Sequence, residues 1–513
     1  MTRKALIRRL IVATSVPMIA PLYLAVYWVL VRFAVRRLRR FALLRAIYLR
    51  RGLASVEVVP GIADIDLAVV GDWDAAAQAR IASSYTRMAR CCPLFDPTFG
   101  VYTPATLGES HALDPFLRHR LAEGQRHWKL LHGEDCLAHF GPLSENDAAT
   151  GYEAELRLWW TYFARCAFSV DTDLSDRIFL NSLCYKAVAE SLRMDSGLNG
   201  RPVPELRRDS IAQALRESTA AEAAVLNRLA DSAQRRHLRY HGNLFGDVHS
   251  FLVPRLENCY RRLTLHPAWR AAEGVRVRVD SPKCEHLDER EALAGAAHRI
   301  AGPRWGGVSV VSGAAFAMDD RVLVFEPKLG WLPDAAELSH LARTCTEQLG
   351  HPRRRLNLYF RLSSAALQFH ASDFFRAWQA ILWPPAHPDI FGEPSFWTPP
   401  AAAFIRYERL LLTETLDNPA LYKANNLDFL RTVWKFLELV VAERSAAGGM
   451  AVLAQTPEAV LRGLRHIGAP QAPFLESFAA AWRNELAGAP SRIGKDIPAA
   501  VEYMKTINHE FCQ

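Results

Sequence analysis

The sequence predicts an α+β protein, predominantly helical. A small mixed sheet is followed by a helical domain, a second small α/β region and a helical C-terminal region. Three observations carry this expectation. The chain has 513 residues, enough for about three domains at roughly 100–200 residues each. Hydrophobic residues make up 50% and charged residues 23%, the balance of ordinary globular domains. Strand-like runs gather in two places, near 46–103 and 308–361, while the remainder carries helical periodicity.

The first segment, residues 1–44, is a basic leader. Residues 1–56 hold twelve Arg and Lys side chains and no acid, which leaves fifty basic against 54 acidic residues in the rest. A basic leader on a mildly acidic body points to an anionic membrane surface as a partner of the leader. The same asymmetry disfavours nucleic acid as a partner of the body. Ile11–Val31 runs 21 residues without a charge, the length of a membrane span, although Pro17 and Pro21 interrupt it. From Arg32 to Arg45 the pattern is amphipathic, with Ala34, Leu38, Phe41 and Ala42 on one side and arginines on the other. The expectation is a surface helix, a soluble helical prelude packed on the next domain, or a single N-terminal span. The nine cysteines are scattered, odd in number and without a CxxC pair, which speaks against a disulfide framework or a zinc ribbon and for the cytoplasm.

Residues 45–125 read as a compact α/β domain. Ala46–Leu49, Ile65–Val70 and Phe99–Thr103 are strand-like. Trp73–Arg90 places Ala77, Ile81, Tyr85 and Met88 on one helical face, and Pro93 stops it. Residues 126–290 read as helical, including Leu156–Phe168, Asp176–Met194 and Ile211–Leu229. In 291–375, Val308–Val311 and Val322–Phe325 flank Asp319–Asp320 as a hairpin, Ala335–Leu349 is helical, and Leu356–Arg361 is a further strand. The segment 376–513 opens with six prolines between Pro384 and Pro400, the mark of an irregular loop, and continues as helices from Ala401 to about Asn508.

The chemistry concentrates in YLRRGLASVEVVPGIADIDLAVV, residues 48–70. Along a strand, side chains at i and i+2 share a face, so Asp64 and Asp66 are expected to point the same way. Two adjacent carboxylates repel unless a cation lies between them, and a hard divalent ion shared with phosphate oxygens satisfies both. On this reading, neutralising one of the pair leaves the metal-free fold as stable as before or slightly more so. Gly52, ending the preceding strand, gives the backbone freedom to approach a phosphate, and Arg50 and Arg51 add positive charge nearby.

This segment resembles the active-site signature of the DNA-polymerase-β-like nucleotidyltransferase superfamily, which includes aminoglycoside adenylyltransferases and many bacterial members. PGIADIDL is similar to the PGxSDIDL form of that signature, and WKLLHGEDCL at 128–137 looks like the segment that opens the family's helical domain. The resemblance covers about residues 45–140. It implies that Asp64 and Asp66 are the catalytic, metal-holding pair for two Mg²⁺ ions, and that Gly52 and Leu53 lie against the nucleotide. Leu53 stands where the family has serine, and Ala63 replaces the serine before the first aspartate. A third carboxylate usually sits on the strand after the helix. Alignment of that strand puts Gly100 at its position, leaving Asp96 as an off-register candidate. On the following helical domain, Lys186 is the cation the resemblance brings to the triphosphate.

The implied activity is adenylyltransferase-like: transfer of a nucleoside monophosphate from Mg-NTP to an unidentified hydroxyl acceptor. Two other classes compete with it. One is a non-catalytic nucleotide-binding protein on the same fold, and the other is a membrane-surface helical scaffold. Outside this segment, His237, His241, Asp247 and His249 in HLRYHGNLFGDVH offer metal-ligand spacing that helix-end histidines explain equally well.

Overall fold

In the computed structural model, residues 3–144 are described except 17, 56–57, 97–98 and 114. Also described are 174–234, 246–255 except 253, 275–280, 287–312, 321–328, 335–350, 356–360, 396–397 and 426–511 except 455, 488 and 490, with scattered positions between. The chain divides into two compact units, Met1–Arg255 with Asp334–Ala336, and Leu256–Pro333 with Glu337–Gln513. The fold is α+β and mostly helical, as the sequence predicts.

The first unit begins with two helices, α1 (Arg3–Thr14) and α2 (Ala20–Leu38). The uncharged run Ile11–Val31 is therefore divided between two helices. Pro21 sits in the first turn of α2, where a missing N–H costs nothing. Among the described residues no helix is long and apolar enough to cross a membrane, so the expectation of a single span finds no helix to carry it.

The first sheet comprises β1 (Leu44–Arg50), β2 (Asp66–Gly71), β3 (Gly100–Tyr102) and β4 (Trp128–Gly133), in the order β3-β2-β1-β4. β1 is antiparallel to both neighbours, and β2 and β3 are parallel. The parallel pair needs a crossover, supplied by α3 (Ala75–Cys91). Asp74 caps α3, its carboxylate accepting from the Ala77 N–H at 2.7 Å. The sheet runs beyond residue 125, because WKLLHG forms the edge strand β4 rather than a helical opening.

Alternation along β1 and β2 sends side chains to two separate cores. Ile47, Leu49, Leu67 and Val69 pack with Tyr27, Val31, Ala34 and Leu38 of α2 and with Ile81 and Tyr85 of α3. Ala46, Tyr48, Ala68 and Val70 face Leu107 of α4 (Pro104–Leu113) and Leu117 and Leu121 of α5 (Pro115–Ala122). The leader is thus part of the core of this unit. The helical layer beyond it contains α6 (Leu174–Leu198), α7 (Arg207–Glu217) and α8 (Ala220–Gln234). The single helix expected over 211–229 is two, divided at Ser218 and Thr219.

In the second unit the expected hairpin is present. β6 (Trp305–Ser312) and β7 (Arg321–Pro327) are antiparallel, and β8 (Leu356–Phe360) joins β7 in parallel. Two helices belong to this region, α9 (Leu287–Ala301) and α10 (Ala335–Leu349). Another sheet has the order β10-β5-β9, from β5 (Val275–Asp280), β9 (Phe396–Trp397) and β10 (Met450–Ala454). β5 and β10 fall where the sequence predicts helices, and they pair in parallel across a long sequence separation. The C-terminal core packs α11 (Asn426–Ala447), α12 (Pro457–His466), α13 (Phe474–Ala487) and α14 (Ile497–Phe511) through Trp434, Phe478, Trp482 and Met504.

Candidate active site

The Arg50 end of β1 and the Asp66 start of β2 are directly opposed in the antiparallel ladder. Arg50 donates from Nε and Nη2 to Asp66 Oδ1, at 2.9 and 2.7 Å. Both side chains are buried, 10% and 2% exposed, and Arg50 also lies over the Trp128 ring at 5.3 Å. Burial by itself would lower the Arg50 pKa, but the Asp66 carboxylate outweighs it and the net shift is upward.

The other oxygen, Asp66 Oδ2, lies 2.8 Å from Arg51 Nε. That contact is an ion pair off the hydrogen-bond line, and Asp66 Oδ2 makes no directed hydrogen bond. Arg51 is 53% exposed and also reaches Asp96 Oδ2 at 3.4 Å. Its backbone is left-handed, at φ 61°, so the chain turns sharply here into the short 3-10 turn Arg51–Leu53. The left-handed position is Arg51 rather than Gly52. Gly52 offers its carbonyl to Ser55 Oγ at 3.1 Å, and Leu53 is buried in the core beneath the leader.

Asp64 lies in the loop before β2, which starts only at Asp66. It is ion-paired with Arg8 of α1. Burial lowers the Arg8 pKa. Each acid of the pair thus meets an arginine, Asp64 that of α1 and Asp66 those at the end of β1. The loop itself is held from the leader side. Tyr27 donates to the Ala63 carbonyl at 2.8 Å and accepts from the Gly61 N–H at 3.1 Å. Gly61 is left-handed at φ 82°, and a Cβ there would stand 2.8 Å from Val12 of α1.

The third carboxylate is where the register matters. Ile65 forms a parallel bridge with Phe95, and the Asp96 N–H donates to the Ile65 carbonyl at 2.9 Å. Asp96 is thus the strand neighbour of Asp66. Further along, Ala68 pairs with Gly100, so the offset rises from 30 residues (65 to 95) to 32 (68 to 100). This irregularity, invisible to an unbroken alignment, puts Asp96 beside the pair and moves Gly100 inward. A Cβ on Gly100 would meet the Tyr102 ring at 2.6 Å and Arg50 Nη1 at 3.0 Å, so a side chain there must displace the Tyr102 ring. Tyr85 ties the two strand starts together, donating toward the Asp96 carbonyl at 2.9 Å and the Ile65 carbonyl at 3.2 Å. Burial first, then the Asp66 and Asp96 charges, raise its pKa.

Among the described residues, no group of three His, Cys, Asp or Glu side chains is gathered so as to hold a metal ion. Guanidinium groups stand between the acids instead. Asp66 Oδ1 is held by buried Arg50, whereas Oδ2 faces an arginine that is half in solvent.

Lys186 holds its ammonium 5.0 Å over the Trp159 ring. Trp159 donates to Glu155 at 3.3 Å, and Glu155 accepts from Arg120 at 2.6 Å. Arg207 donates to Glu190, also at 2.6 Å, and His127 and Arg193 both pair with Glu123. This buried ionic network joins α5, α6 and α7. It holds the Glu123 and Glu155 carboxyls down at about 2, burial opposing and neighbouring cations prevailing. His237 and His241 lie outside the described residues. Asp247 pairs with Arg228 at 2.6 Å, and His249 is buried. Nothing in the sequence marks Arg8 as a partner of Asp64; a cation so distant along the chain has no local signature. In comparisons with known proteins, no family model and no curated protein sequence matches this chain.

Proposed function

We propose that the Asp64–Asp66–Asp96 end of the first sheet binds a Mg-nucleoside triphosphate and transfers its nucleoside monophosphate to a hydroxyl acceptor. The observation that carries this reading is the register of Asp96 beside Asp66, which supplies the third acid at the start of the neighbouring strand. The resting site is charge-balanced, with aspartates facing arginines. Asp66, with Asp64 and Asp96, would hold Mg²⁺, which would supply charge neutralisation at the phosphates. Asp66 Oδ2, facing half-exposed Arg51, is the oxygen it would take. Arg51, freed from Asp66, turns its guanidinium to the phosphates. Asp96 takes the proton of the attacking hydroxyl. The new bond joins that oxygen to the α-phosphorus, and the bond to the β-phosphate oxygen breaks, releasing pyrophosphate. The protein works in the cytoplasm on this reading, held at an anionic membrane surface by its leader.

A second reading is favoured by Arg50. Its buried pair leaves only one Asp66 oxygen exchangeable, which suits a nucleotide-binding protein that does no chemistry. The test is titration of the full chain with ATP, with and without Mg²⁺, and transfer of label from α-labelled NTP into cell-extract components. Mg²⁺-dependent transfer that is lost in Asp96→Asn and Asp64→Asn establishes the transferase. Binding without transfer establishes the second reading. Absence of both refutes the nucleotide site and leaves a scaffold.

A further inference from the structure

The outer face of the leader is the most apolar exposed surface described in this protein. Of the ten large hydrophobic side chains exposed among the described residues, nine lie between Leu6 and Leu43. Four of them, Leu22, Val26, Val29 and Phe33, are 66, 48, 62 and 54% exposed and recur at helical spacing along α2. The opposite face of the same helix, at Tyr27, Val31, Ala34 and Leu38, is buried in the core. The helix therefore has two apolar faces, of which the fold uses one. Met18 and Ile19, in the turn that leads into α2, extend the outer stripe and are 89 and 39% exposed.

Charge is segregated along the same helix. Arg32, Arg36, Arg37, Arg39 and Arg40 are exposed at the C-terminal end of α2 and just after it, and no acid occurs before residue 57. Apolar residues at one end and arginines at the other match the two layers of a bilayer interface, acyl chains and anionic headgroups. Nucleic acid does not fit an aliphatic stripe. A second copy brings the arginine-rich ends together when the helices run parallel and lays them over the Met18–Leu22 end when they run antiparallel, and in neither case does the leader supply an acid.

We propose that the outer face of α2, with the Met18–Ile19 turn, is an interfacial docking surface for anionic phospholipid, entered by Leu22, Val26, Val29 and Phe33 and held by the arginines beyond them. The helix enters the interface obliquely, its Met18–Ile19 end deepest, and does not cross it. This rests on the membrane part of the reading above and specifies its surface and orientation.

The test is flotation of the full chain with vesicles of phosphatidylcholine alone and with about one-third phosphatidylserine. Wild type is expected to float only with the anionic vesicles. The variant Leu22→Asn/Val26→Asn/Val29→Gln/Phe33→Gln should lose at least tenfold in vesicle affinity. Arg36→Gln/Arg39→Gln/Arg40→Gln should lose more, at about fivefold per arginine. Hydrogen exchange of unaltered wild type, with and without vesicles, keeps the idea open to refutation if a variant misfolds: protection must appear in 18–40. Wild type that ignores anionic vesicles refutes both membrane association and this surface. Wild type that floats while the apolar variant floats equally, or gains no protection in 18–40, refutes the surface alone. A dimer in solution that the same apolar substitutions dissociate assigns the face to a second copy and also overturns the proposal.

Discussion

Asp66→Asn leaves the Arg50 guanidinium buried beside a neutral amide. Removing one partner of a buried ion pair costs about 3–5 kcal/mol, because the remaining charge is left uncompensated. The asparagine oxygen still accepts one hydrogen bond from Arg50, which recovers about 1 kcal/mol. Arg51 is half exposed and rehydrates, so its loss adds little. The expected cost is about 3 kcal/mol. Asp64→Asn breaks a pair whose side chains are 23 and 28% exposed, and about 1 kcal/mol is expected there. This reverses the expectation from the sequence, in which two repelling acids make either substitution neutral. Because the chain has two units, a single urea transition does not report on this one alone. Hydrogen exchange of the amides in β1 and β2 does, and 3 kcal/mol corresponds to about a hundredfold faster exchange. Replacing the pair together, Arg50→Met with Asp66→Leu, should restore more than half of the loss. Exchange within threefold of wild type in Asp66→Asn, or equal losses in Asp64→Asn and Asp66→Asn, refutes the assignment of Asp66 to a buried pair.

Two further outcomes follow from the same packing. Gly100→Ala forces a methyl against the Tyr102 ring and Arg50, costing about 1–3 kcal/mol by the same exchange measurement, and Gly100→Asp creates no third metal ligand. Wild-type protection in Gly100→Ala would show that the β3 edge yields. His249 is kept neutral because burial pushes its pKa from 6.5 down to about 3. Between those values only the unfolded chain takes up the proton, so stability falls as pH drops from 6.5 toward 3, by up to about 1.4 kcal/mol per unit. His249→Gln should flatten that slope between pH 7 and 5, read from exchange of the 246–252 amides, and an unchanged slope refutes the assignment.

Much of the local structure was legible because it is short-range. The alternation in 308–325 and the periodicity of 335–349 specify β6, β7 and α10 without help from distant residues. α3 was equally readable from its apolar stripe and Pro93. β5 was legible in VRVRVD, whose period of two is plain, but the surrounding alanine- and arginine-rich sequence reads as helix. MAVLA in β10 is too short for its period to decide between strand and buried helix. Asp64 and Asp66 were legible from their spacing and Asp96 only through the resemblance, but their partners were not. Arg8 meets Asp64 through tertiary folding, and Asp96 meets Asp66 through a two-residue register change that no spacing rule anticipates.

Tyr27, which clamps the loop before β2 from the inner face of α2, sets a timetable for synthesis. The helix is complete at Leu38, while β2, whose side chains cover its inner face, ends at Gly71. At roughly 5–20 residues per second, about 2–7 seconds separate the two on the ribosome. Throughout that interval both apolar faces of α2 are naked. The nascent chain therefore passes through a form stickier than the finished protein, and a chaperone or bilayer that shields it then acts before Asp96, the third acid of the site, has been made.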